Sequence, residues 1–201
     1  MGKGENEMDL KDVREKEKRK NQILFSRDSS CLQELLQLIR LQKHRTIVMW
    51  VFECVRIPVQ ILKDRYPNEK RPETAVRLCI EWSKGNVKMP VAKRALLQAH
   101  AVAKELTNPA DIALCHAVGQ ACATVHVETH AIGLVIYELT AIVREYGIDH
   151  CEKKIEDKIA EYIFCLKSCA TNIDTEPFEW ADFLLDDSRP NKEQQLLERK
   201  S

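Results

Sequence analysis

Apolar residues recur at helical spacing through the middle of the chain, and this spacing constrains the fold more than any other feature. The segment after Pro90 has one apolar face formed by Ala92, Ala95, Leu96, Ala99 and Val102. No segment shows the sustained alternation of apolar and polar residues that a half-buried strand requires. With 6 glycines and 7 prolines in 201 residues, a turn-rich sandwich or barrel is disfavoured. The sequence therefore predicts an all-α fold, a compact bundle of about seven helices.

Prolines and glycines indicate where these helices begin and end. Pro72 and Pro90 suit first helical turns, and Gly85 suits a helix end. Pro58 lies inside an apolar run over residues 46–64, so it predicts a kink or an early end in that helix.

The apolar pattern over residues 109–146 has the length of two helices. A single helix over this run would be about 55 Å long at 1.5 Å per residue, which exceeds the diameter of a domain of this size. We therefore expect two helices with a break near residues 125–130, and Gly147 at the end of the second.

The two ends of the chain are polar. Residues 1–28 contain eight Lys or Arg and seven Asp or Glu. We interpret them as a charged N-terminal extension, solvated or a frayed helix, and the alternative is a nucleic-acid-binding arm. Residues 29–187 are predicted to form a single all-α domain, and residues 188–201 a polar C-terminal tail.

Charge and hydropathy argue against two kinds of partner. Lys plus Arg number 31 and Asp plus Glu number 31, so a nucleic-acid partner is not expected. No charge-free run of about 18 residues exists, so no membrane association is expected. The start of the sequence has no apolar stretch typical of a secretory signal, and we therefore predict a cytoplasmic location.

The eight cysteines contain no C-x-x-C pair, which disfavours a zinc ribbon or a thioredoxin-type site. Most of them occupy apolar helical positions and are expected to act as small core residues. Cys165 and Cys169 are four residues apart and share a helical face, so they could bind a metal or become oxidised. We favour two buried thiols at this position.

Four histidines lie within 31 residues, at His100, His116, His126 and His130. On a continuous helix, Cys122, His126 and His130 would form one stripe, and such ligands can hold zinc. The metal hypothesis therefore takes His116, His126 and His130 as ligands of zinc or another divalent metal. We favour the alternative, in which the histidines hydrogen-bond to helix ends and the protein has no cofactor and no catalytic residue.

The segment over residues 173–187 contains six acidic residues and no Lys or Arg. Aromatic and apolar residues alternate with the acids. One interpretation is a binding site for a basic partner, with Trp180, Asp182, Asp186 and Asp187 as the contacts. The other, which we favour, packs the aromatic residues on the protein's own core and leaves the acids in water.

A longer pattern covers roughly residues 44–145. It consists of His44-Arg45, Trp50, Arg71-Pro72, Trp82, Gly85, the Ala-rich helix with His100, and the segment from Cys115-His116 through His126 to His130-Ala131. This pattern resembles a family of immunity proteins from bacterial polymorphic toxin systems, described as immunity-protein-five-like. The resemblance implies an all-α domain that binds and neutralises a cognate toxin. It also implies that the four histidines lie near one another.

Three functional hypotheses follow. The first is an immunity-type bacterial protein that binds a toxin through a protein–protein interface, more readily a binding protein than an enzyme. The second is a metal-dependent hydrolase of the phosphohydrolase type, in which the histidine-bound metal would supply a nucleophilic water. The third is a non-catalytic helical scaffold that acts as a homodimer, because the small residues Ala117, Ala121 and Ala123 permit close helix approach.

Overall fold

The computed structural model describes residues 8–199. Eleven α-helices occur in this part of the chain: α1 Lys11–Lys18, α2 Gln33–Arg40, α3 His44–Cys54, α4 Arg56–Arg65, α5 Arg71–Ser83, α6 Met89–Val102, α7 Pro109–Ala123, α8 Ala131–Tyr146, α9 Glu152–Asn172, α10 Asp182–Leu185 and α11 Lys192–Glu198. Short 3-10 turns at Ser30–Leu32 and Glu128–His130 precede α2 and α8. These residues contain no strand, so the all-α prediction is confirmed. The helix count exceeds seven because α1, α10 and α11 are too short to show a helical period and one predicted helix is divided.

Helix α7 lies at the centre of the bundle. It packs against α8 and α6 most extensively, and also against α3, α4 and α5. Its residues are apolar on almost every side, as is typical of a helix that is buried all round. Ala117 and Ala121 are fully buried, so this small-residue stripe mediates close packing within the chain. The homodimer hypothesis stays a prediction.

Two glycines set how closely α7 approaches its neighbours. A Cβ atom on Gly119 would lie 2.2 Å from Cε1 of His100 on α6, and one on Gly133 of α8 would lie 2.6 Å from Oε1 of Gln120 on α7. Any larger residue at either position would collide with the facing side chain. These glycines therefore let α6, α7 and α8 pack closely around the side chains of His100 and Gln120.

The predicted helix boundaries hold in the central region. The run over residues 46–64 is divided at Val55, three residues before Pro58, because Pro58 has no N–H to donate to the carbonyl of Cys54. Helix α7 ends at Ala123, so the expected break is confirmed. Gly147 ends α8 with a φ of +79°, which glycine adopts without steric cost.

The two polar ends differ from the solvated segments that we expected, as far as the described residues go. Leu10, Val13, Leu24 and Phe25 are all buried against the helical body. The backbone N–H of Leu24 donates to the hydroxyl of Thr140 on α8 at 3.2 Å. The prediction missed this packing because few apolar residues, at irregular spacing, occur in this stretch. The domain boundaries themselves stay a prediction.

The C-terminal residues also pack on the body. Asn191 accepts from the N–H of Glu193 at 2.8 Å and donates its amide to the carbonyl of Ile39 at 2.9 Å. The buried carboxylate of Glu193 pairs with Arg27 at 2.7 Å, which connects the two ends of the chain. Within residues 8–199, none of the helices has the length and apolar character needed to cross a membrane.

The close approach at Gly119 generates a stability prediction. Gly119→Ala is expected to lower the free energy of unfolding by about 1–3 kcal/mol, because the new methyl group overlaps the ring of His100. In a His100→Ala background the same change should be neutral or stabilising by up to about 1 kcal/mol, since alanine is the better helix former. Urea unfolding of the four proteins of this cycle measures both values. An equal cost in the two backgrounds would contradict the contact.

Candidate functional site

His100 and His116 form a hydrogen-bonded pair across the α6–α7 contact. Their Nδ1 atoms lie 3.1 Å apart, so one nitrogen donates and the other accepts. Burial, with the neighbouring His116 and His130, lowers the pKa of His100 to about 4. Burial also lowers the pKa of His116, whose ring packs against Tyr137 of α8 at 5.1 Å. Burial therefore favours the neutral form of both rings, and their hydrogen bond joins α6 to α7.

The other two histidines have different surroundings. His130 hydrogen-bonds through Nδ1 to Oε1 of Gln120 at 2.9 Å. His126 is exposed and stacks on Trp82, with ring centroids 6.3 Å apart. Because α7 ends at Ala123, the stripe expected for a continuous helix does not form. Cys122, its first member, is buried and lies within hydrogen-bonding reach of Cys79.

These positions bear on the metal hypothesis. In the part of the chain that the structure describes, no three or more His, Cys, Asp or Glu side chains are grouped so that they could hold a metal ion. The set of His116, His126 and His130 therefore has no geometrical support here and stays a prediction.

The acidic segment, residues 173–187, lies against the C-terminal end of α5. The N–H of Ala181 donates to the carbonyl of Ser83 at 2.8 Å. Phe183 stacks on Trp82 at a centroid distance of 5.7 Å, and Trp180 packs on Phe178 at 4.2 Å. The aromatic residues thus pack on the body, which is the second of the two arrangements that we considered.

Arg45 forms ion pairs that attach this segment to the start of α3. Its guanidinium, only 10% exposed, donates to Asp187 at 2.7 Å and to Asp174 at 2.9 Å. Hydrogen bonding to Arg45, with the charge of Lys43, lowers the pKa of Asp174. Both ends of the acidic segment are therefore tied to one buried cation, which the sequence pattern did not reveal.

The acids predicted to bind a partner consequently differ in availability. Asp187 is engaged by Arg45, and Asp186 accepts from the N–H and hydroxyl of Ser188. Asp182 is exposed in the first turn of α10. Trp180 is half-buried against Phe178 and contributes a side face to this surface.

A cleft of about 260 Å³ separates the start of α3 from the end of the acidic segment. Its lining includes His44, His126, Phe183, Asp186, Asp187 and Arg189. His44 donates through Nε2 to the carbonyl of Thr124 at 2.7 Å, which fixes the loop that carries His126. His126, one of the predicted metal ligands, thus lines the same cleft as Asp186 and Asp187, two of the predicted partner contacts. The cleft combines aromatic rings with charges of both signs.

A second polar group lies within the bundle and was missed by the sequence analysis. Lys158 of α9 pairs with Glu138 of α8 at 2.9 Å, and the hydroxyl of Tyr162 donates to the same carboxylate at 2.5 Å. Burial raises the pKa of Glu138 despite these partners. The one available signal was Glu138 itself, the single charged residue in the apolar run over residues 131–143.

The pair borders a cavity of about 380 Å³ whose walls include Ile57, Ile61, Leu114, Ala141 and Ile142. Charged residues at this cavity are paired within the chain: Lys158 with Glu138, and Arg65 at the rim with Asp111 and Glu145. The lining of this cavity is therefore more apolar than the lining of the cleft beside the acidic segment.

The sequence model of one family, described as Imm-5 like putative immunity protein, matches residues 37–164, which is more than half of the chain. The chain belongs to this family. The resemblance predicted from residues 44–145 is thereby confirmed. No significant match was found among the curated proteins or among the solved structures. As an Imm-5 like protein, the chain has its family region from α2 into α9, and the acidic segment follows it.

The buried histidines predict a pH dependence of stability. The pKa of His100 is lowered to about 4, below its unfolded value of 6.5. The unfolded chain therefore binds more protons in this window, and stability falls as the pH drops from 6.5 towards 4. Between pH 6.5 and pH 5, we expect the free energy of unfolding to fall by on the order of 1 kcal/mol less in His100→Gln than in the unmodified protein. This value is already reduced for the partial exposure of the ring.

Urea unfolding at pH 6.5 and pH 5 measures this difference. His150→Gln, at an exposed histidine outside the cluster, serves as the matched control and should leave the pH dependence as in the unmodified protein. An unchanged pH dependence in His100→Gln would contradict a buried neutral ring.

The attachment of the acidic segment is tested at Arg45. Arg45→Met should speed amide hydrogen exchange in residues 173–187 about fivefold, because two ion pairs are lost while α3 remains packed. Arg56→Met removes an exposed ion pair with Glu53 and is the control. Equal exchange in both variants would show that the aromatic contacts alone hold the segment.

Proposed function

We propose that this Imm-5 like protein binds and neutralises a cognate toxin through a protein–protein interface. Membership of the family supports the general role. The observation that carries the proposal is the acidic segment, which is fixed on the surface with its aromatic residues inward. A surface that is already ordered loses little conformational entropy when a partner binds.

The charge of the segment indicates the chemistry of the partner. Six acids occur within residues 173–187, without a basic residue. Arg45 neutralises part of this charge at Asp174 and Asp187, and Glu179 and Asp182 remain exposed between them. Complementary charges raise association rates and exclude wrong partners. We therefore propose a basic surface on the toxin.

The neighbouring cleft supplies the other component of an interface. Trp82, Phe183 and His126 form a stack, and His126 is its exposed member. Aromatic residues surrounded by charged ones are typical of the central contacts of protein interfaces. We propose that the toxin contacts His126 together with Asp182 and the exposed part of Trp180.

A cytoplasmic site of action in a bacterium belongs to the same proposal. All eight cysteines are free thiols, as is usual for proteins of reducing compartments. The hydrolase hypothesis receives no comparable support, because its candidate ligands are engaged elsewhere: His116 with His100, His126 with Trp82 and His130 with Gln120.

The proposal is tested by co-expressing the protein with candidate toxin domains and measuring growth. A domain whose toxicity is relieved is then purified, and its Kd for the protein is determined. We expect the double variant Glu179→Lys and Asp182→Lys to raise the Kd at least about tenfold, which corresponds to about 1.4 kcal/mol. The increase in Kd should be largest at low salt, where charges are screened least.

Asp64→Lys reverses an exposed charge on α4 and serves as the control, with an unchanged Kd expected. Relief of toxicity without a measurable complex would exclude neutralisation by binding. A normal Kd in the double variant would instead move the interface away from the acidic segment.

A further inference from the structure

Three cysteine thiols meet where the end of α3 packs on the second half of α9. Cys54 is the last residue of α3, and Cys165 and Cys169 are one turn apart on α9. The sulfur of Cys165 lies within hydrogen-bonding reach of both other thiols. The sequence pattern placed only Cys165 and Cys169 together, and the fold adds Cys54 from another helix.

The cluster is open to solvent on one side. A cavity of about 410 Å³ is lined by Cys165 and Cys169, with Glu53 and Glu176 among its walls. Cys54 does not line this cavity and is 6% exposed. A small solute in this cavity therefore meets Cys165 and Cys169, whereas Cys54 is almost inaccessible to it.

The proton distribution in the cluster is uneven. Hydrogen bonds donated by Cys169 and Cys54, together with the Lys158 ammonium, lower the pKa of Cys165. Donation to Cys165 raises the pKa of Cys169, and burial raises that of Cys54. Of the three thiols, Cys165 therefore loses its proton most readily. Thiolate character and access are the two properties that make a cysteine oxidisable.

We propose that Cys165 is an oxidation site for hydroperoxides and that Cys54 converts the oxidised form into a disulfide between α3 and α9. The Cys165 thiolate attacks one oxygen of the peroxide, the O–O bond breaks, and the displaced oxygen takes a proton from solvent and leaves as an alcohol or water. Cys165 is then a sulfenic acid. Attack by the sulfur of Cys54 forms the S–S bond and releases water. Two thiols have lost two electrons and two protons, and the peroxide has gained them.

Cys54 is the better disulfide partner for geometrical reasons. On one helix, the Cα–Cβ bonds of residues four apart run in the same direction, which disfavours a disulfide between Cys165 and Cys169. Cys54 approaches from a second helix and can face Cys165. Cys169 is a positioning residue, because its thiol donates to the thiolate without joining the disulfide.

The experiment uses the full-length reduced protein and hydrogen peroxide as the probe. After peroxide treatment and blocking of free thiols, trypsin cuts after Lys167, which separates Cys165 from Cys169. Mass spectrometry should find the peptide of Cys54 joined to that of Cys165, and a thiol reductant should separate them. A Cys165–Cys169 disulfide would overturn the role of Cys54.

Two variants test the order of the steps. Cys54→Ser should stop the reaction at a sulfenic acid on Cys165, which dimedone labels, and Cys165→Ser should prevent disulfide formation by Cys54. Oxidation of Cys54 in the Cys165→Ser variant would overturn the proposal. Circular dichroism melting of both variants checks that the fold is retained.

The protein contains its own control. Cys79 and Cys122 are also within hydrogen-bonding reach of each other but are fully buried, so they should remain reduced under the same treatment.

Alkylation by iodoacetamide at pH 6 should be more than about tenfold faster at Cys165 than at Cys31, whose pKa burial raises to about 11. Equal rates at Cys165 and Cys31 would contradict a thiolate. Cys169→Ala should slow Cys165 at pH 6, and Cys169→Ser should restore the rate because the hydroxyl can donate.

Discussion

The close packing of α7 is the constraint on which the rest of the structure depends. A helix that is apolar on nearly every side must be covered on nearly every side, and five other helices cover it. Small residues at positions such as Gly119, Ala117 and Ala121 permit the short distances this requires. The gain is extensive burial of apolar surface, and the cost is that facing side chains have little freedom. The His100–His116 pair is fixed in this way.

The same packing positions the candidate interface. Because α7 cannot continue past Ala123 without leaving the bundle, the chain turns there and His126 is carried to the surface beside Trp82. Trp82 is in turn the surface on which Phe183 rests. Arg45, close to the N-terminal end of α3, completes the attachment through Asp174 and Asp187. The acidic segment thus depends on the helical family region although it follows that region in the sequence.

The sequence predicted those features that depend on neighbours along the chain. The end of α7, the division near Pro58 and the end of α8 at Gly147 follow from helix length, a missing N–H and a positive φ. Features that depend on distant residues were not predictable, such as the ion pairs of Arg45 and the approach of Cys54 to Cys165. The packing of Leu24 and Phe25 was missed because two apolar residues in a charged stretch have no period. Glu138 stands out in the sequence as the single charge in an apolar run, but its partner Lys158 becomes evident only in the fold.

Hydrogen exchange of this Imm-5 like protein, alone and mixed with a toxin domain whose toxicity it relieves in cells, would locate the interface. New protection is expected in residues 173–187 and in the loop around His126. Protection confined to the cavity bordered by Glu138 and Lys158, with unchanged exchange in the acidic segment, would contradict this location of the interface.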